Sequence, residues 1–194
     1  MDQSRPDSAR RNSLHGFMPS KFPSTLPEFR LSARVRRRKL RAMRIRHIFI
    51  SPEHNFVGHH GNPPGENQTL DVHEARLLAG RGIEGDRYLD FKDDYKGQVT
   101  FFASEVFGRL CAQFGIREKS VGVLRRNIIT EGVDLNALIG TEFEVQGVRF
   151  LGTQESAPCH WMNTVFAEGA EEALKGNGGL RAKILTDGLL RVDA

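Results

Sequence analysis

Apolar residues in this chain come in short runs, and most runs stop at a turn carrying glycine, asparagine or aspartate. Runs at 45–50, 72–79, 99–102, 124–129, 141–146, 148–153, 180–186 and 189–192 have strand length. The pairs around Gly147 and around Asp187-Gly188 read as hairpins, the second with a type I′ turn signal. Longer helical spacing occurs at 104–115, where Ser104 is the expected N-cap and Gly115 the stop. Its apolar residues Val106, Phe107, Leu110, Cys111 and Phe114 share one face. Brief helical turns are expected at 134–140, at 168–175 before Gly176, and in the segment holding Trp161, Met162 and Val165. Many short strands with few, brief helices predict a mainly β (α+β) fold, a closed or nearly closed β-barrel decorated with a few short helices.

The formal net charge of +4 conceals a division. Residues 1–42 hold 11 Lys/Arg against 3 Asp/Glu, whereas residues 43–194 hold 17 against 21. The first stretch also contains four prolines and the run Arg34-Val35-Arg36-Arg37-Arg38-Lys39, so a basic, disordered tail (1–42) is expected ahead of one domain (43–194). An over-long translation start is an equal reading of that tail. The acidic domain lacks the basic face that phosphate-backbone binding requires, and no nucleic-acid partner is expected for it. No apolar run reaches the roughly 18 residues of a membrane span, so no membrane partner is expected either. Two cysteines, Cys111 and Cys159, make no disulfide framework, and a cytoplasmic location is expected.

Residues with chemistry gather between Arg125 and Trp161. On a strand over 124–129, Arg125 and Arg126 would point to opposite faces, so only one enters a pocket; Asn127 shares the face of Arg125. Cys159 follows Pro158 at a strand end where a loop turns into a helix, and free N–H groups at a helix start favour a thiolate. Cys111, on the apolar helix face, reads as core. Ser104 at a helix start and Ser156, three residues before Cys159, are candidate anion or cofactor contacts. Arg181 follows Gly178-Gly179, whose missing side chains let the backbone approach a phosphate. His54, His59 and His60 lie in a Gly/Asn/Pro loop without a helical pair or a carboxylate at ligand spacing. His59 and His60 are therefore better substrate-side groups than metal ligands. His160 is a candidate base or thiolate partner. Gly85-Asp86-Arg87-Tyr88 reads as a turn in which Asp86 bonds its own backbone, a lining of the site mouth being the weaker reading.

The order of these pieces resembles the MOSC domain, the module found at the C-terminus of molybdenum cofactor sulfurases and also as a stand-alone protein. Gly82-Ile83-Glu84-Gly85-Asp86-Arg87-Tyr88, Gly97-Gln98-Val99-Thr100, Ser104-Glu105, Arg125-Arg126-Asn127-Ile128, Glu131-Gly132-Val133-Asp134-Leu135, Leu138-Ile139-Gly140, Pro158-Cys159-His160-Trp161 and Gly178-Gly179-Leu180-Arg181-Ala182 carry the resemblance. It implies the same barrel architecture. It also implies that Arg125 and Asn127, with Arg126 as the fallback, lie near the pterin and phosphate of the molybdenum cofactor (molybdopterin).

For Cys159 the resemblance implies one of two roles. Either the thiolate ligates molybdenum in an oxygen-atom-transfer site like that of N-hydroxy-compound reductases, or it carries a persulfide, as the sulfurase fusions do. The chain has no motif for pyridoxal phosphate, so that cofactor is not expected here. Sulfur would then come from a separate cysteine desulfurase, whereas a reductase would need a separate electron-donor protein and a small-molecule substrate. The reductase reading is preferred over sulfur carriage, and a non-catalytic binding or scaffold barrel with an inert cysteine is the third reading.

Overall fold

The computed structural model describes residues 38–39, 43–55 and 65–194. In chain order the strands are β1 (Arg38–Lys39), β2 (Arg44–Ile50), β3 (Leu70–Val72), β4 (Glu74–Leu78), β5 (Gly82–Ile83), β6 (Val99–Ala103), β7 (Ile128–Glu131), β8 (Glu142–Val145), β9 (Val148–Glu155), β10 (Leu180–Ile184) and β11 (Gly188–Arg191). The helices are α1 (Ser104–Phe114), α2 (Trp161–Val165) and α3 (Ala170–Ala173). None of the described helices is long and apolar enough to cross a membrane.

Eight strands form one sheet in the order β1-β8-β9-β10-β6-β7-β2-β3, and β11-β4-β5 form a second. Among the described residues the large sheet ends at β1 and β3 and does not close, so the expected barrel is replaced by an open sheet packed on a smaller one. Backbone pairing starts at β1, which runs parallel to Phe143–Glu144 inside the basic stretch. The rest of the expected tail, residues 1–37 and 40–42, lies outside the described residues.

Side-chain alternation on the central strands explains why their sequences are continuously apolar. Ile48, Phe101 and Ile128 turn to one face and pack with Leu77, Ile83 and Leu190 of the smaller sheet. Their neighbours Phe49, Phe102 and Ile129 turn to the other face and meet Leu110 of α1, Trp161 and Met162 of α2, and Phe166. A strand buried on both faces has no place for polar alternation. At the centre of the inner layer Phe101 stands edge-on to Phe143 and Phe150, with ring centroids 5.5 and 5.2 Å away.

Two turns behave differently from their sequence signals. The β8–β9 hairpin forms as expected, with positive φ at Gln146 (48°) and Gly147 (83°), the backbone of a type I′ turn. The expected hairpin at Asp187-Gly188 does not form, because β10 pairs with β9 and β6 while β11 pairs with β4 in the other sheet. Asp187 Oδ1 accepts a hydrogen bond from the Ala79 N–H at 2.6 Å, and Gly80 N–H donates to the Ile184 carbonyl at 2.9 Å. Those bonds steer the chain across to the smaller sheet. Helix α1 ends at Gly115 in the left-handed conformation (φ 65°), as expected, but its N-cap is Ala103 and the Ser104 hydroxyl makes no capping bond.

Candidate functional site

The expected strand over 124–129 is broken at its start. The Ser120 hydroxyl accepts from the Gly122 N–H at 3.1 Å and begins a 3-10 turn over Val121–Leu124, which Arg125 ends with φ 53° and ψ 40°. A non-glycine residue in the left-handed region is uncommon and marks a backbone held by its surroundings. Because β7 begins only at Ile128, Arg125 and Arg126 are not strand neighbours on opposite faces. Both line one cavity.

That cavity is small, about 50 Å³, and is lined by Arg87, Tyr88, Tyr95, Gly97, Thr100, Arg125, Arg126, Asn127, Ser156 and Arg181. Four guanidinium groups surround it and no carboxylate is among the lining residues. Arg87 lies 4.7 Å from the Tyr88 ring centroid, Tyr88 stacks on Tyr95 at 5.5 Å, and the Arg87 Nη1 atom is buried with no hydrogen-bond partner. Crowded cations and burial have the expected electrostatic effect. Arg125 is pushed down to about 10 by burial and then by Arg87; Arg126 is pushed down to about 10 by burial, with the Cys159 thiol pulling the other way. Burial raises Tyr95 above its ordinary value. His54, edge-on to Tyr88, is lowered by burial and then by Arg87 and Arg125.

The residues of the Arg-Arg-Asn motif are largely occupied by the protein itself. Asn127 Nδ2 donates to the Phe49 carbonyl at 3.2 Å and to Asp86 Oδ2 at 3.1 Å. Its Oδ1 accepts from Thr100 N–H at 3.1 Å and from Thr100 Oγ1 at 2.8 Å. Two donors and two acceptors exhaust an amide, so Asn127 braces the wall of the cavity and has no group left over for a ligand. Arg126 donates through Nε to the Gly178 carbonyl at 3.0 Å and through Nη2 to the Ser156 carbonyl at 2.8 Å. Arg125 reaches outward, donating through Nη2 to the Glu53 carbonyl and through Nη1 to Thr69 Oγ1 at 3.4 Å.

Arg126 therefore fastens the segment that leads to Cys159. The Cys159 thiol is exposed and does not line the cavity, yet it lies close enough to influence Arg126. Downstream, α2 is pinned by the Trp161 Nε1 donation to the Val123 carbonyl at 2.9 Å and by Lys119 Nζ, which donates to the Val165 and Phe166 carbonyls at 2.7 and 2.9 Å. Gly178 and Gly179 serve close packing of chain on chain. A Cβ at Gly178 would lie 2.5 Å from the Ser156 carbonyl oxygen, and one at Gly179 would lie 2.3 Å from that of Phe101.

Of the residues singled out from sequence, Arg125, Arg126, Asn127, Ser156 and Arg181 come together around the cavity. Ser104 sits elsewhere, in a groove with Arg46, His47, Phe107 and Lys119. His160 is the N-cap residue of α2, beside Cys159. His59 and His60 lie outside the described residues. No group of three or more His, Cys, Asp or Glu among the described residues is arranged to hold a metal ion. Arg87 and Tyr88 line the cavity, so the 85–88 turn matches its weaker reading, a lining of the site, as well as that of a turn. Tyr95 and Thr100 are the additions that geometry makes, with His54 edge-on to Tyr88.

The MOSC domain family model matches residues 59–193. A comparison with curated proteins returns no match. Among solved structures, the chain is similar to the YuaD protein from Bacillus subtilis, with a TM-score of 0.61 and 16% identity over 78% of this chain and 92% of that one. YiiM from Geobacillus stearothermophilus gives a TM-score of 0.55 with 15% identity over 77% of this chain and 71% of its own. YiiM from Escherichia coli gives 0.54 with 17% identity over 78% and 67%. At these identities the likeness is one of fold. The family match takes in well over half of the chain and every residue that lines the arginine cavity, and on it the chain belongs to the MOSC domain family.

Proposed function

We propose that this chain binds the molybdenum cofactor by its phosphate end in the arginine cavity and performs oxygen-atom transfer of the reductase type beside Cys159. The observation that carries this reading is Arg87 Nη1, a buried donor without an acceptor in a cavity of four arginines and no lining carboxylate. An unpaired buried donor is destabilising, and an anionic oxygen relieves it. Volume limits the fit. About 50 Å³ admits a tetrahedral oxyanion, whereas sites for whole small molecules take roughly 300 Å³ or more. Only the phosphate end is assigned to the cavity.

Arg87 and Arg181 are the proposed direct contacts, since neither guanidinium is engaged by a backbone carbonyl of the described residues. Arg125 and Arg126 add positive potential, and Asn127 orients the wall. When bound, the cofactor would supply the two-electron oxygen-atom-transfer chemistry. Cys159 is the proposed molybdenum ligand, and the exposure of its loop leaves the thiol accessible from solvent. His160, with His59 and His60, is retained as a substrate-side group for a small-molecule substrate, and a separate protein would deliver electrons.

A second reading is favoured by one observation, the exposure of the Cys159 thiol next to a guanidinium. Such a thiol can meet a cysteine desulfurase and hold a persulfide. One experiment separates the readings. The full chain is produced in cells that make the cofactor and assayed for molybdenum and for pterin fluorescence after oxidation. The cofactor reading expects both in the wild type, loss of both in Arg87→Ala and Arg181→Ala, and retained pterin with lost reduction of N-hydroxylated compounds in Cys159→Ser. A wild type without cofactor that takes a persulfide on Cys159 moves the function to sulfur carriage. A wild type that does neither is a scaffold.

A further inference from the structure

Behind the arginines lies a carboxylate that the reading above does not use. Asp86 is 6% exposed. Its Oδ1 accepts from the Tyr88 N–H at 3.1 Å, and its Oδ2 accepts from the Ser51 N–H at 3.0 Å and from Asn127 Nδ2 at 3.1 Å. Three bonds accepted and none donated is the pattern of an ionised carboxylate. Arg87 Nη1 lies 3.7 Å from Oδ2, within electrostatic attraction but beyond hydrogen-bond length. Arg87 Nη1 therefore faces a carboxylate beyond hydrogen-bond length on one side and has no hydrogen-bond partner among the described residues on the other.

Resting on the anion-site reading, we propose that Asp86 is a positioning residue that restrains the anion site, holding the Arg87 turn and Asn127 in place while its negative charge weakens the grip on any bound oxyanion. Two effects oppose one another when its charge is removed, and charge prevails. The turn keeps its backbone anchors without the Asp86 side chain, since Asp86 N–H donates to the Ile83 carbonyl at 3.1 Å and Arg87 N–H to the Ser51 carbonyl at 3.0 Å. The lost repulsion, by contrast, acts across a largely buried, poorly screened space. A site restrained in this way exchanges its ligand instead of locking it in.

The test is sulfate binding to the full chain at constant ionic strength, by calorimetry and by thermal shift, in wild type, Asp86→Asn and Asp86→Ser. Serine keeps an oxygen that can accept from the Tyr88 N–H and covers the case in which the asparagine variant does not fold. The expected result is a lower melting temperature without sulfate combined with sulfate affinity raised about tenfold. A purely structural role moves both readings downward together, and unchanged or weaker sulfate binding overturns the inference. Failure of both variants to fold also overturns it and leaves Asp86 as a folding residue. A wild type that binds no sulfate at all removes the anion site itself, which keeps the two failures distinct.

Discussion

Replacing Arg126 with methionine keeps the aliphatic stem and deletes the guanidinium. Its two shortest hydrogen bonds vanish, those to the Gly178 and Ser156 carbonyls at 3.0 and 2.8 Å, together with two long ones to the Leu124 and Ala157 carbonyls at 3.4 and 3.5 Å that add little. Bonds from a charged donor contribute about 1.5 to 3 kcal/mol each, so the gross loss is about 3 to 6 kcal/mol. Against it stands the strain of holding the charge out of water, which pushes the group down from its ordinary value to about 10. At 1.36 kcal/mol per unit that is roughly 3 kcal/mol regained by removing the charge. The difference is about 0 to 3 kcal/mol, so the expected net destabilisation is about 1.5 kcal/mol. Urea denaturation should show a lower midpoint with an unchanged slope. An Arg126→Met protein more stable than the wild type would refute the view that this arginine fastens the loop.

Four other outcomes follow from the same geometry. Alkylation near neutral pH with peptide mapping should label exposed Cys159 before Cys111, whose thiol burial pushes up; labelling of Cys111 first reverses the assignment. Gly178→Ala should destabilise by about 2 to 3 kcal/mol, because the new Cβ meets the Ser156 carbonyl at 2.5 Å and Pro158 Cδ at 2.8 Å. Gly108→Ala, in α1 with open space around it, should instead stabilise by about 0.5 to 1 kcal/mol in a thermal melt. Sulfate affinity should be level from pH 6 to 8 and fall as pH rises through about 10, where Arg125 and Arg126 begin to lose their protons. An anion raises the pKa of the group it binds, so affinity is complete below that pH and lost above it. Level binding up to pH 11 would contradict the arginine assignment.

Features specified by neighbours in the chain were legible in the sequence. Helix α1, its glycine stop and the Gln146-Gly147 turn depend on bonds within a few residues, and they form where the pattern puts them. Asp187-Gly188 offers an equally good local signal and is overruled by the Ala79 N–H, 108 residues away. The arginine motif failed as a strand for a more local reason, a serine-started turn at Ser120 that the apolar run obscured. That its residues would gather in one place was legible through the resemblance, and they line one cavity, but their division of labour was not. That Asn127 is saturated and Arg126 grips backbone depends on partners from Phe49, Asp86, Thr100 and Gly178, scattered over the chain.

The crossing of β11 to the smaller sheet also sets the order in which the molecule can assemble. Leu190 pairs with Ala75, and Asp193 closes onto the Ile45 N–H across 148 residues, while β2 waits for β7 and β10 joins β6 to β9. Pairings that distant pay their loop entropy before they return any contact, which places folding in the milliseconds-to-seconds range instead of microseconds. During synthesis at about 5 to 20 residues per second, β2 spends on the order of ten seconds before Asp193 exists to cap it. Through that interval Ile45 and Ile48, fully buried in the finished protein, have no permanent cover. Slower translation lengthens that exposure.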